Sequence, residues 1–322
     1  MREHSSFKIG IDLMGSDTPP GVFLPALFEL HREIKDSADF VVFSEVMQSQ
    51  EGIQFIPTDE VITMEDDPLT AIRHKKGSSL CQGIQMLKEG KIDAFVSSGN
   101  TGALMACAAL NLKLLPGIDK PALVALLPTE SKELAVLDVG ANARCTAENL
   151  FQFALMGIAY QKSRGIAEPT VGLLNIGTEA KKGTPEHQEA YQKLLTLNQK
   201  RKVFIGNIEG RDALEGLCDV LVTDGFTGNV FLKTAEGIAG ALLNQLEANA
   251  SEECSPHLKT VLSGIRRRLH YAEYPGAILT GVNGIVVKCH GASPPQALVS
   301  GIKGALRLVQ HNFLEKIKAA AH

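Results

Sequence analysis

The sequence predicts an α/β chain, a largely parallel sheet with helices on both faces, and three observations lead there. Short β-type runs alternate with helix-patterned stretches along most of the chain. Several runs end in small residues and pass straight into a helix, the strand-to-helix turn that parallel sheets repeat. With 322 residues, 44% of them hydrophobic, the chain can bury a sizeable core in one large domain or two closely joined ones.

Taken in order, strands are read at FKIGIDL, ADFVVFS, IDAFVSS, PALVALLP, LAVLDVG, TVGLLNIG, KVFIGNI, CDVLVTD and GIVVKCH. Helices are read at PPGVFLPALFELHREI, PLTAIRHKKGSSLCQGIQMLKE, AENLFQFALMGIAYQKSRG and PPQALVSGIKGALRLVQHNFLEKIKAA. No low-complexity or Pro/Ser-rich linker divides them, so residues 1–322 are read as a single domain. Within it, about 231–275 reads as a helical amphipathic segment. Leu258, Val261, Leu262, Ile265 and Leu269 keep helical spacing there, and Arg266, Arg267 and Arg268 make it locally basic. Such a helix suits anionic lipid, an acidic protein partner or simply the core.

A formal charge of −4 excludes a general nucleic-acid binder, which needs a strongly basic face. The start, MREHSSFKIGIDLMG, has no long apolar run before a small-residue cleavage site, and no apolar run reaches the length of a membrane span, so a cytoplasmic protein is expected. The six cysteines form no C-x-x-C pair and the nine histidines no ligand cluster. Reduced thiols and no metal are expected.

Ligands of parallel sheets bind at the carboxyl ends of the strands, which directs attention to the loops there. The stretch Asp93–Gly102, DAFVSSGNTG, reappears as DVLVTDGFTG at Asp219–Gly228, an offset of 219 − 93 = 126 positions. Both carry a strand, a glycine turn and a helix start, where exposed N–H groups meet the positive end of the helix dipole. Gly99, Asn100, Thr101 and Gly102, and with them Gly225, Thr227, Gly228 and Asn229, are thus candidates to cradle phosphate. The alternative is a tight turn that needs glycine only for its backbone angles. In LDVGANARC, Asn142 has a carboxamide that can donate to a phosphate or carbonyl oxygen, or form an Asx turn. In LLNIGTEAKKG, Lys182 sits where a lysine suits an anion in transfer, or is a solvated surface charge. Glu209, Arg211 and Asp212 read as a salt-bridged helix start. Of Arg73, Lys75 and Lys76, one or two at most can face a site.

These loops resemble one family. IDLMGSD, MEDDPLTAIRHKKGSS, SSGNTGALMA, LPGIDKPAL, LDVGAN, LLNIGTEAKKG, GNIEGRD, DGFTGNVFLKTAEG and GVNGIVVKCHG look like the successive motifs of bacterial phosphate acyltransferases, the PlsX family, in order from about Ile11 to Gly291. The resemblance implies that inorganic phosphate attacks the thioester of a long-chain fatty acyl group on acyl carrier protein, giving acyl-phosphate. That product would pass to an acyl-phosphate-using glycerol-3-phosphate acyltransferase in phospholipid synthesis. It also implies a fold similar to isocitrate/isopropylmalate dehydrogenases and phosphate acetyltransferases, a homodimer, no cofactor, and loose association with the inner face of the membrane.

With phosphate as nucleophile, no Ser-His-Asp or Cys-His pair is required. The protein must hold phosphate in line with the thioester and supply donors for the oxyanion. Asn142 and Lys182 take the catalytic roles in this reading, the two glycine turns hold phosphate, and Arg266–Arg268 meet the acidic carrier protein or the membrane. The first loop departs from the family's Gly-Gly-Asp-His: here it is Gly15-Ser16-Asp17-Thr18, with Asp17 and Thr18 expected to cap the helix at Pro19 and Pro20. Rival readings are a phosphate acetyltransferase using coenzyme A, a β-decarboxylating dehydrogenase, and a non-catalytic acyl-carrier sensor.

Overall fold

The computed structural model describes residues 6–199, 201–249, 260–262, 264–265, 276–289 and 294–320. From the N terminus come β1 (Phe7–Asp12), α1 (Pro20–Ile34), β2 (Ala38–Ser44), β3 (Ile53–Pro57), α2 (Pro68–His74), α3 (Ser79–Lys88), β4 (Ala94–Ser97) and α4 (Thr101–Leu112). Next are β5 (Ala122–Pro128), β6 (Glu133–Leu137), α5 (Ala147–Ser163), β7 (Val171–Leu174), α6 (Pro185–Leu195), β8 (Phe204–Ile208), α7 (Gly210–Ala213), β9 (Val220–Val222) and α8 (Gly225–Asn249). The chain closes with β10 (Ala277–Thr280), β11 (Ile285–Lys288), α9 (Pro295–Gln310) and α10 (Phe313–Ala320).

The residues gather into two compact units, one of 1–123, 162–166 and 274–322, the other of 124–161 and 167–273. Strand order in the first is β3-β2-β1-β4-β11-β10 and in the second β5-β6-β9-β7-β8. Pairing is parallel except in the hairpins β10–β11 and β5–β6. The expected largely parallel α/β sheet is present.

Adjacent residues of β4 show why the first unit needs helices on both faces. A Cβ on Gly83 of α3 would strike the Phe95 ring, and one on Gly301 of α9 would approach Val96 and Val287. Phe95 and Val96 point to opposite sides of the strand, so α3 and α9 cover opposite faces. Phe40, Phe43 and Phe95 are fully buried, with the Phe43 and Phe95 rings edge to face at 5.9 Å. Each such ring contributes roughly 1.5–3 kcal/mol of burial. In the second unit Gly157 of α5 lies against Val220 and Leu137, over a core that includes Phe153 and Phe204.

Three local expectations change. The long helix read over Pro68–Glu89 is two helices, because Lys75 leaves helical angles (φ −101°, ψ 61°). Its ammonium reaches Asp66 at 2.6 Å and the Val61 carbonyl at 2.9 Å. The C-terminal helix likewise breaks at Asn312, which takes a left-handed φ of 52°. Asp17 and Thr18 do not cap α1: its N-cap is Pro19, with no side-chain hydrogen bond. The Thr18 carbonyl accepts the Ser16 hydroxyl instead. Arg266, Arg267 and Arg268, and most of the basic part of the amphipathic segment, lie outside the described residues; α8 supplies its first part. No helix among the described residues is long and apolar enough to cross a membrane.

Candidate active site

In the first turn, β4 delivers Ser97, Ser98, Gly99 and Asn100 in buried backbone to the start of α4. Asn100 is the N-cap. Its Oδ1 accepts from the Ala103 N–H at 3.0 Å, while its Nδ2 donates to the carbonyls of Thr63 at 3.0 Å and of Met64 and Asp66 at 3.3 Å. This commits the carboxamide to building the turn. The Gly99 N–H donates to Ser97 Oγ at 3.1 Å. The N–H groups of Asn100, Thr101 and Gly102 have no hydrogen-bond partner among the described residues. A three-turn helix thus opens on three consecutive unspent donors, the arrangement that binds anions. The Ser98 hydroxyl, also buried, has no partner among the described residues.

The wall of this turn comes from the segment before α2. Asp67 caps α2 by accepting the Thr70 N–H at 2.9 Å, and Gly102 lies so close to Pro68 that a Cβ would fall 2.7 Å from its Cγ. Lys75 is held by Asp66, whereas Arg73 and Lys76 are exposed. One of the three cations is therefore committed to structure, in keeping with their spacing.

In the second turn the same pattern is spent differently. The Gly225 N–H donates to the Asn142 carbonyl at 2.8 Å, Thr227 N–H to Asp224 Oδ1 at 2.9 Å, and Gly228 N–H to the Asp224 carbonyl at 2.9 Å. The Thr227 hydroxyl donates to Asp224 Oδ2 at 2.8 Å. Its glycines serve close packing. A Cβ on Gly228 would fall on the Asp138 carbonyl, and one on Gly225 would sit 2.7 Å from both the Asn142 carbonyl and Asp138 Oδ2. Asn229 is exposed. The sequence offered both turns as candidates to line a phosphate site; in the second the Gly225, Thr227 and Gly228 N–H groups are all bonded, the Thr227 one by Asp224, which stands where the first turn has Ser98.

Asn142 belongs to a loop wrapped around Asp138, which is fully buried at the end of β6. Asp138 accepts from the N–H groups of Gly140, Ala141 and Asn142 at 3.2, 2.9 and 2.7 Å, and from Asn142 Nδ2 at 2.9 Å. The helix that follows is capped elsewhere, by a reciprocal pair: Thr146 N–H to Asn149 Oδ1 at 3.0 Å and Asn149 N–H to Thr146 Oγ at 3.2 Å. Lys182 ends the loop after β7, about half exposed, with its ammonium 4.0 Å from Glu179. Glu179 fixes that loop by accepting the Asn207 carboxamide on its carbonyl at 2.8 Å. Arg211 is bound to Asp212 at 2.9 Å, the salt-bridged helix start that the sequence suggested.

Two residues of the first unit escaped the sequence reading. Asp12, at the end of β1, and Lys288, at the end of β11, are both buried beside the first turn. Burial pushes the Asp12 carboxyl up, opposed by hydrogen bonds from Ser79, Ser97 and Met14 and by the charge of Lys288. The available signal was that each polar residue ends a strand directly after buried residues, Asp12 after Ile9–Ile11 and Lys288 after Ile285–Val287.

The fold is that of phosphotransacylases and related enzymes. A phosphotransacetylase of Streptococcus pyogenes superposes with a TM-score of 0.62 at 19% identity, covering 96% of this chain and 94% of that one. A putative 4-hydroxythreonine-4-phosphate dehydrogenase of Salmonella typhimurium superposes at 0.55 with 12% identity, covering 94% and 100%. At these identities the likeness concerns fold alone. Sequence goes further: the model of the family described as fatty acid synthesis protein matches residues 7–316. Relatives named phosphate acyltransferase include those of Geobacillus thermodenitrificans, 42% identical over 86% of this chain and 87% of the relative, and Staphylococcus saprophyticus, 41% identical over 86% of each. The chain belongs to the phosphate acyltransferase family.

Proposed function

We propose that the chain transfers a long-chain fatty acyl group from acyl carrier protein to inorganic phosphate, releasing acyl-phosphate and free carrier thiol for phospholipid synthesis. The observation that carries the reading is the first turn: three unspent N–H groups at the start of α4 can hold a dianion without any catalytic nucleophile from the protein. Phosphate held there keeps one oxygen outward to attack the thioester carbonyl carbon. The C–S bond then breaks and the carrier leaves as thiol, taking up the proton that hydrogen phosphate gives up as it becomes acyl-phosphate. The helix dipole and backbone donors bind phosphate without taking the proton chemistry onto a side chain, so the cost of ordering the nucleophile is met by the turn.

Lys182, half exposed at the end of the loop after β7, and Asn142 are the side chains this reading assigns as donors to the oxyanion. The second turn, at Gly225, Thr227, Gly228 and Asn229, fixes the Asn142 loop in this reading. Homodimer contact and loose attachment to the inner face of the membrane fall on the helical region that opens with α8, whose Val230, Ile238, Leu242 and Leu246 are exposed. Arg266–Arg268 suit the acidic carrier protein.

The test mixes purified protein with palmitoyl-acyl carrier protein, with and without inorganic phosphate, following carrier thiol and acyl-phosphate trapped as hydroxamate. Phosphate-dependent appearance of both supports the reading. Thiol release without phosphate replaces it with hydrolysis, and carrier binding without turnover replaces it with a sensor. Lys182→Ala is expected to lower kcat by about 100-fold; near-wild-type turnover removes Lys182 from the mechanism.

A further inference from the structure

Beneath the first turn, three neighbouring strands carry three buried polar side chains in one row. The registers pair Asp12 of β1 with Ser97 of β4, and Ser97 with Lys288 of β11, so all three leave the sheet on the same face. They are 1%, 0% and 7% exposed. Asp12 accepts the Met14 N–H at 2.9 Å, the Ser97 hydroxyl at 2.7 Å and a hydrogen bond from Ser79 at the start of α3. The Ser97 oxygen in turn accepts the Gly99 N–H. From the other side, Lys288 Nζ donates to the Ser98 carbonyl at 3.3 Å and to the Cys289 carbonyl.

The Ser98 carbonyl and the Gly99 N–H belong to one peptide group. Its oxygen is held by the Lys288 ammonium and its hydrogen by a hydroxyl anchored on Asp12. That peptide leads directly into the donors of Asn100, Thr101 and Gly102, so its plane sets their direction. Charge enters as well. A carboxylate buried under an anion-binding turn repels the anion through a medium that screens poorly, unless a cation accompanies it.

Resting on the phosphate-transfer reading above, we infer that Asp12 and Lys288 are positioning residues of the phosphate turn. Together they clamp the Ser98–Gly99 peptide at both ends, and Lys288 cancels the charge that Asp12 would otherwise present to bound phosphate. Lys288 is then more important to the turn than Asp12, because its loss leaves the carboxylate uncompensated.

The test measures KM for inorganic phosphate and for acyl carrier protein separately, together with the thermal shift given by phosphate alone. Lys288→Met is expected to raise KM for phosphate about tenfold or more, to abolish the thermal shift, and to change KM for the carrier less than twofold. Asp12→Asn should have a smaller effect, and the Asp12→Asn/Lys288→Met double variant should recover part of the phosphate affinity lost in Lys288→Met. Ser97→Ala cuts the relay to Gly99 without touching a charge, keeps the inference testable if the charged variants fold poorly, and should raise KM for phosphate a few-fold. Wild-type phosphate shifts in Lys288→Met and Ser97→Ala, or equal rises in both KM values, overturn the inference while leaving wild-type transfer intact. A wild-type protein that neither shifts with phosphate nor turns over overturns the phosphate-transfer reading itself.

Discussion

The turn after β4 and the turn after β9 sit on strand pairs with the same register: Ile9 faces Ala94 in one, Ala135 faces Val220 in the other. Both members move by the offset of the sequence echo (135 − 9 = 220 − 94 = 126). Asp12 and Asp138 are matched by that same offset (138 − 12 = 126), each buried at a strand end beside its turn. What separates the turns is where the helix cap sits. In the first, Asn100 caps α4 and the N–H groups of Asn100, Thr101 and Gly102 have no partner among the described residues. In the second, Asp224 occupies the position matching Ser98, caps two residues earlier and takes the Thr227 N–H and hydroxyl. The helix accordingly starts at Gly225 rather than at the residue matching Thr101. An identical glycine pattern therefore leaves the matching threonine N–H open or spends it according to one polar residue beside it, since an acid at the cap takes that donor and complements the helix dipole.

The most direct way to break the comparison is to give the first turn the second turn's acid. Ser98→Asp is expected to lower kcat/KM for phosphate by about 100-fold or more, on the scale of losing oxyanion or phosphate donors, with KM for the carrier little changed. Ser98→Asn separates charge from capping, because it can take a donor without adding a negative charge, and should fall between. Steady-state kinetics at varied phosphate decides; an unchanged KM for phosphate in a folded Ser98→Asp would mean that phosphate binds elsewhere.

The opening residues of the two echoes give a second contrast. Asp93 accepts the Lys8 N–H at 2.8 Å, whereas Asp219 accepts the Thr170 N–H and hydroxyl at 2.8 and 2.7 Å and pairs with Lys132 at 2.8 Å. Burial pushes the Asp219 carboxyl up, but Lys132 and Thr170 outweigh it and hold it below the ordinary carboxylate range. A depressed folded value means stability that is present above the unfolded pKa of about 3.9 and lost as pH falls through the folded value. Asp219→Asn should cost about 2 kcal/mol at pH 7, measured by urea unfolding, and the difference should close as the pH falls below about 4. Asp93→Asn should cost less. A pH-independent deficit in Asp219→Asn would assign the loss to packing instead.

Much of this was legible in the sequence because parallel strands, buried on both faces, announce themselves as apolar runs ending at glycine turns. The helix break at Lys75 was not, since it depends on an ammonium drawn to Asp66 and the Val61 carbonyl, and the break at Asn312 rests on one left-handed backbone angle. The strand Ile53–Pro57 was missed for a related reason: its burial is broken by exposed and half-exposed positions and it lies at the sheet edge beside β2. At the site, the glycines of both turns lie where backbone comes close to a neighbour, Gly102 to Pro68 and Gly225 and Gly228 to the Asp138 loop. Whether such backbone serves a ligand or a neighbouring loop depends on where donors are spent, which needs coordinates. Lys288 and Asp12 stayed hidden because their partners are 85 positions or more away in sequence: Ser97 for Asp12 and Ser98 for Lys288.

The smallest effect is also the sharpest control. Asp224→Ser converts the second turn toward the first by removing its cap acid. Three contacts change at once: the Thr227 N–H and hydroxyl lose their acceptor, and the start of α8 loses a negative charge from its positive end. Loss of an N-cap typically costs about 1 kcal/mol, and a serine retains part of the capping, so the expected destabilisation is at or below that figure. Gly225 remains bound to the Asn142 carbonyl and Gly228 remains wedged against Asp138, so the turn keeps its shape. KM for phosphate should then stay within about twofold of wild type, because the donors freed lie beside a packed loop rather than at an open helix start. A large rise would show that the second turn takes part in holding phosphate after all, and the two turns would act as a pair. A fall, with tighter phosphate binding, would show that the acid alone had kept the second turn from binding an anion.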